Sequence, residues 1–228
     1  MFPAKDKLTI CFAHAAYQMQ ARFEARNTGI KSFQVWAYDD FQKRVGEADV
    51  VVVSGMWKND LIPHAGNLKF IQSISSGMDQ YSKEQLAAKS VRLASAAGVN
   101  ARAVAEHAIA LILAVARRLP EARDNQHRKM WRGMIGDLAQ REDELGAKTL
   151  LVVGMGRIGS HLALLAKAFG MKVIGIRRDP SQGENGADSI YGMADLVKLV
   201  AQADYVALTC ALTPETTGLM SAAAFAAM

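Results

Sequence analysis

Gly154-Met155-Gly156-Arg157-Ile158-Gly159 spaces three glycines so that a backbone can turn sharply and receive phosphates. Gly154 permits the tight turn. Gly156 has no side chain, so a pyrophosphate can approach the main chain. Gly159 lets the following helix pack closely on the preceding strand. The pattern alone carries little weight. Here it follows the apolar run Thr149–Val153 and opens the helical stretch Ser160–Phe169, the context that gives it meaning. The helix start, with Ile158 in its first turn, would offer N–H groups and the positive end of its dipole to phosphates, and Arg157 adds charge. The end of the next strand, Lys172–Ile176, bears on which dinucleotide fits. An acidic residue there would bond the ribose hydroxyls of NAD. This chain has Arg177-Arg178, and Asp179 only afterwards. Guanidinium groups match a 2′-phosphate in charge and in bidentate geometry. NADP(H) is therefore favoured. NAD(H) is the alternative, with Asp179 or water meeting its ribose.

The surrounding elements alternate. Strands are predicted at Leu8–Phe12, Phe33–Trp36, Asp49–Ser54, Leu68–Ile74 and Arg92–Ala96. Helices are predicted at Tyr17–Asn27 and Ser82–Lys89, the second with Ser82 as N-cap. The four valines Val50–Val53 suit a strand covered on both faces. A helix over Ala101–Leu119, broken at Pro120, and another over Glu121–Trp131 would connect two units. Gly133–Gly146 reads as irregular. After Lys148 come the glycine turn, the strand Lys172–Ile176, a helix over Asp195–Ala201, a strand over Tyr205–Thr209 and a helical tail over Ser221–Ala227. Strands alternating with helices predict an α/β chain of two Rossmann-like, doubly wound parallel-sheet domains, the second incomplete. The first domain, flavodoxin-like, spans residues 1–98 and the second 99–228. Only three strands are read after residue 148. They are expected to form the adenosine half of the sheet, leaving Leu150–Val153 as an open apolar edge.

Composition excludes other classes. Half of the 228 residues are hydrophobic and 21% are charged, as in ordinary globular chains. No apolar run reaches the roughly 18 residues of a membrane span, and Ala103–Ala116 reads instead as a buried helix. The start of the chain lacks the apolar core of a signal peptide. Cys11 and Cys210 are the two cysteines and lie far apart, which argues against disulfides and thiolate metal sites and fits a reducing cytoplasm. The net charge of +5 is scattered, with His127-Arg128-Lys129 and Arg132 as its densest group, so a solvated surface rather than a nucleic-acid footprint is expected.

Several segments together resemble the D-2-hydroxyacid dehydrogenase family. Asn100–Glu106 is similar to the family's Asn…Val-Ala-Glu segment, Leu145–Thr149 to the lead-in of its first nucleotide strand, and Leu212–Leu219 to its loop after a later strand. Ser75-Ser76-Gly77-Met78-Asp79 resembles its Gly-x-Gly-x-Asp substrate loop, with Ser75 departing from the first glycine. The resemblance implies hydride transfer between a nicotinamide and a small 2-keto or 2-hydroxy acid, glyoxylate or hydroxypyruvate being examples. It implies main-chain N–H groups near Ser76 and Gly77 for the substrate carboxylate. Met56 and Trp57 would line the same pocket or simply pack. Cys210, Ala211 and Thr216 would lie near the cofactor, Ala211 standing where a proline is often found. A homodimer built on the Ala101–Leu119 helix and the arm carrying Trp131 is also implied. The family's arginine, glutamate and histidine follow the Leu-Thr-Pro segment. None of His14, His64, His107, His127 and His161 occupies that position, so no catalytic residue is assigned and little activity is expected of this chain alone. The other reading is a nucleotide-sensing binding protein, like the corepressors that share this resemblance.

Overall fold

The computed structural model describes residues 2–228, which divide into two compact units, Met1–Ala97 and Gly98–Met228. The first unit runs β1 (Thr9–Ala13), α1 (Met19–Glu24), β2 (Lys31–Val35), α2 (Tyr38–Arg44), β3 (Val50–Val53), β4 (Phe70–Ser73), α3 (Lys83–Ala88) and β5 (Arg92–Ala94). Its sheet is parallel throughout, in the order β2-β1-β3-β4-β5. This is the flavodoxin-like doubly wound order, whose direction reverses between β1 and β3. The valine strand β3 is central. Val51 and Val53 are fully buried, beside Cys11, Phe41, Trp57 and Ile71. Burial pushes the Cys11 thiol up to about 12, so it is an inert packing group and no nucleophile. Ser82 caps α3, its hydroxyl accepting from the Gln85 N–H, a contact worth about 1 kcal/mol. The sequence reading missed α2, whose buried apolar side chain is Phe41 alone, too little to make a helical period visible.

The second unit opens with α4 (Ala101–Ala116) and α5 (Leu119–His127). The break between them falls at Arg118, which takes a left-handed φ of 49°. Pro120 does not interrupt a helix here. It sits in the first turn of α5, where its missing N–H costs nothing. The expectation that α4 is a buried helix also needs correction. Ala101, Ala105, Ile109 and Ala116 are buried, whereas Leu111 and Val115 are exposed. One face packs and the other remains open.

There follow β6 (Thr149–Val153), α6 (Arg157–Ala168), β7 (Lys172–Ile176), β8 (Ser189–Tyr191), α7 (Leu196–Val200), β9 (Tyr205–Leu208) and α8 (Ala222–Ala227). Gly170, at φ 72°, ends α6 as its left-handed residue. The sheet has four parallel strands in the order β8-β7-β6-β9. Two expectations are overturned. The strand read as third in the adenosine half, now β9, lies on the opposite side of β6, in register Leu150↔Tyr205 to Val153↔Leu208. The third position beside β7 is taken by β8, a three-residue strand after a glycine-rich loop that offers too short a pattern to read. The apolar strand β6 is therefore interior, and the sheet edge falls at β9, whose Leu208 is exposed. Side chains of β6 alternate as a two-sided strand requires. Leu150 and Val152 face the layer containing Ala105, Ile109 and Leu162, while Leu151 and Val153 face Leu196 and Leu199.

Aspartates pin the starts of strands. Asp49 Oδ2 accepts from the Thr9 N–H at 3.0 Å, Asp204 Oδ2 from Thr149 N–H at 2.8 Å, and Asp188 Oδ2 from Val173 N–H at 2.7 Å. Asp188 Oδ1 also takes the Lys167 ammonium at 2.6 Å, and these two bonds hold its carboxyl below the usual range. A carboxylate whose pKa is lowered by folding stabilises the protein above its unfolded value of about 3.9 and loses that effect as the pH falls through the folded value. The Asp188→Asn variant is accordingly expected to be less stable by about 1 kcal/mol near neutral pH, a modest figure because the pair is partly exposed. Denaturant melts should converge with wild type as the pH drops below the ordinary aspartate range. A gap that widens on acidification would contradict this.

Candidate functional site

The glycine turn is built by the carboxyl ends of three strands. Ile176, the last residue of β7, accepts hydrogen bonds from Gly154 N at 2.8 Å and Met155 N at 3.3 Å. Thr209, just past β9, donates its N–H to Val153 O at 2.9 Å and its hydroxyl to Gly154 O at 2.7 Å. The three glycines differ in their surroundings. Gly154 has φ 107°, and a Cβ there would lie 2.5 Å from Cys210 N. At Gly159 a Cβ would lie 2.4 Å from Gly154 O and 3.0 Å from Val152 Cγ1. At Gly156 it would meet nothing within 4 Å. Gly154 and Gly159 are therefore required by the protein's own packing. Gly156 is exposed and its absent side chain leaves open space at the N-cap of α6, beside Ile158 in the first turn. That space sits where strand order reverses between β6 and β9, the position at which open α/β sheets receive ligands. The residues fit a dinucleotide pyrophosphate. Arg157 points elsewhere: its guanidinium lies across Gly98, where a Cβ would be 2.3 Å from Nη1.

Beyond β7 the two arginines part. Arg177 donates to the carbonyls of Gln182 and Gly183 at 3.3 and 3.1 Å and to Gln182 Oε1 at 2.6 Å, so it braces the 179–183 loop. Arg178 is exposed. The Asp179 carboxylate is turned into its own loop, accepting from Ser181 Oγ at 2.6 Å, Ser181 N at 3.1 Å and Gln182 Nε2 at 3.1 Å. Those bonds, Ser181 first, hold its carboxyl below the usual range.

In the first unit, Ser76 and Gly77 follow β4 on exposed backbone, and the Asp79 side chain folds back so that Oδ1 would be 2.9 Å from a Cβ at Gly77. Met56 is half-buried against the core after β3. Trp57 is 2% exposed, its ring set between Phe41 and Tyr81 and its Nε1 donating to Asn59 Oδ1 at 3.2 Å. In this arrangement Trp57 is core, and Met56 is the neighbour with surface to offer.

A family model for the NAD binding domain of D-isomer specific 2-hydroxyacid dehydrogenases matches residues 109–228. This chain belongs to that family. Among its relatives, D-3-phosphoglycerate dehydrogenase of a Synechocystis strain is 33% identical over 189 residues, covering 81% of this chain and 33% of the relative. Hydroxypyruvate reductase of Thermotoga maritima is 32% identical over 192 residues, covering 83% of this chain and 60% of the relative. The chain thus spans between a third and three-fifths of the length of these relatives. A solved D-isomer specific 2-hydroxyacid dehydrogenase family protein from Aeromonas salmonicida superposes with a TM-score of 0.80 at 25% identity, covering 94% of this chain and 67% of that one.

The remaining positions suggested by the 2-hydroxyacid dehydrogenase pattern lie after β9. Cys210 is half-buried, with its backbone against Gly154. Ala211 is exposed, and its carbonyl accepts from the Thr216 hydroxyl at 2.7 Å. Thr216 Oγ1 also accepts from Thr213 N at 2.8 Å, so its side chain organises the 211–217 loop. Sequence reasoning missed Thr209, which locks the turn through Gly154 O. A hydroxyl closing an apolar strand just ahead of Cys210 was the available signal. Arg102, Glu106 and His107 are exposed along α4 and form no catalytic cluster with the glycine turn.

Proposed function

We propose that this chain carries the substrate-binding unit and the cofactor-binding part of an NADP(H)-preferring oxidoreductase acting on a small 2-keto or 2-hydroxy acid. The observation that carries this reading is the open space at Gly156, in a turn whose other two glycines are closed by the protein's own atoms. Gly156, Ile158 and Gly159 would hold the pyrophosphate at the start of α6. Cys210, Ala211 and Thr216 line the neighbouring loop. Arg178 would meet a 2′-phosphate, with Arg177 bracing the loop beneath it. The main chain at Ser76 and Gly77 would grip the substrate carboxylate, with Met56 as an apolar wall held from behind by Trp57. The bound reduced nicotinamide supplies the hydride. Similarity to a hydroxypyruvate reductase supports a substrate of two or three carbons.

The reduced carbonyl oxygen must also receive a proton. The chain of 228 residues offers no histidine beside the glycine turn to give it, and the family pattern places the arginine, glutamate and histidine after the segment Leu212–Leu219. This chain is therefore expected to bind NADPH and to turn over little. The open face of α4 with Leu111 and Val115, and an arm on which Trp131 is 97% exposed, support a homodimer. No described helix is long and apolar enough to cross a membrane, and the free Cys11 and Cys210 suit a reducing cytoplasm. One preparation tests the set. Fluorescence titration should show NADPH binding, a hydride-transfer assay with glyoxylate or hydroxypyruvate should show at most trace rates, and sedimentation should give a dimer. Robust turnover would refute the inactivity, absent NADPH binding would refute the cofactor site, and a monomer the dimer.

A further inference from the structure

The register of β3 with β4 ends at Val53↔Ser73, and one further rung follows, from Ile74 N to Val53 O at 3.0 Å. Past that point a pair of side chains holds the strand ends together. Ser54 Oγ and Ser75 Oγ lie 2.6 Å apart. Ser75 is tied on every other side as well. Its N–H donates to Ser73 Oγ at 3.2 Å, and its carbonyl accepts from Ser73 Oγ at 3.3 Å and from Ala96 N at 3.1 Å. Ser73 itself is the one polar residue in the buried core among the described residues. Ser54 in turn accepts from Trp57 N at 3.0 Å, so the loop carrying Met56 is tied to the same point. A glycine at position 75 could not make the hydroxyl contact. A strand end held only by its last backbone rung would leave the next two peptides free to rotate.

We infer that Ser54 and Ser75 are positioning residues, a hydroxyl pair that stands in for the next sheet rung and fixes the main chain of Ser76 and Gly77 for a substrate carboxylate. This rests on the keto-acid reading above. The test therefore includes a readout independent of it. In the 228-residue chain, amide hydrogen exchange at Ser76 and Gly77 is expected to quicken about fivefold in Ser54→Ala and in Ser75→Ala, the loss of one neutral hydrogen bond. The double variant should be no faster than either single one. Ser75→Thr, which keeps the hydroxyl, should exchange like wild type. Oxamate, a 2-keto acid mimic, is expected to shift the Ser76 and Gly77 amide resonances and to bind about fivefold more weakly to both alanine variants. Unchanged exchange in the alanine variants overturns the staple. Faster exchange with unchanged oxamate affinity overturns its positioning role. If oxamate leaves Ser76 and Gly77 of wild type untouched while the variants still exchange faster, the carboxylate grip is what has failed, and the positioning role falls with it.

Discussion

Gly156→Val is expected to weaken NADPH binding about a hundredfold while costing less than about 1 kcal/mol of stability. Gly154→Ala is expected to do the reverse in order of cause: the turn itself fails first, by about 3 kcal/mol, and cofactor binding is lost with it. The difference follows from what surrounds each position. A Cβ at Gly156 meets no protein atom within 4 Å, and its backbone, at φ −88°, is accessible to any residue. The only thing a valine there can obstruct is a ligand approaching the start of α6. A Cβ at Gly154 would lie 2.5 Å from Cys210 N and 2.7 Å from Cys210 Cα, backbone atoms that cannot swing aside, and φ 107° adds strain of its own. Relief would require moving β9 away from β6, breaking the Thr209 contacts that close the turn. Thermal melts and NADPH fluorescence titrations on the two variants separate these effects. Wild-type affinity in Gly156→Val would sink the pyrophosphate assignment. Wild-type melting of Gly154→Ala would mean that the close approach of β6 and β9 is wrong.

That contrast also marks how far the sequence could be read. The strands β6 and β7 were legible to the residue because each is a dense apolar run bounded by polar or glycine residues. The glycine spacing was legible as well, and so were the Ser82 cap and the Gly170 stop, since each is a local device. Strand order was not. Ser189–Tyr191 is three residues long, and its place beside β7 is set by tertiary pairing that no local pattern announces. Missing it put Tyr205–Leu208 on the wrong side of β6 and made an interior strand look like an exposed edge. The same limit applies to side-chain direction. Arg157 and Asp179 were chosen for their charge next to a phosphate or a ribose. Packing against Gly98 and a hydrogen-bonded turn with Ser181 and Gln182 set where they point. Charge type can be read from a sequence, but the geometry that uses it comes from non-local contacts.

The geometry after β7 sharpens the choice of dinucleotide into a second large effect. Three charged residues follow one another, and two are already engaged. Arg177 spends its guanidinium on Gln182 and Gly183, and Asp179 spends its carboxylate on Ser181 and Gln182. Asp179 would have to give up those bonds before it could take the two hydroxyls of an NAD ribose. Arg178 is exposed, and its charge reaches the 211–217 loop: the Glu215 carboxyl is held below its usual range mainly by a hydrogen bond from Thr213, and also by Arg178. A guanidinium-to-phosphate bond contributes about 1.5–3 kcal/mol, which is roughly 10- to 150-fold in affinity. Arg178→Ala is therefore expected to weaken NADPH binding by about that factor and to leave NADH binding within about twofold, because NADH has no phosphate for Arg178 to meet. The wild-type preference for NADPH should shrink as salt is raised, since the contact is exposed to screening. Arg177→Ala should behave differently, loosening the 179–183 loop and weakening both dinucleotides alike. The measurement is a pair of fluorescence titrations, with NADPH and with NADH, on wild type and both variants. Equal losses for the two dinucleotides in Arg178→Ala would move the arginine off the 2′-phosphate. A wild-type preference for NADH would mean that Asp179 leaves its turn to meet the ribose.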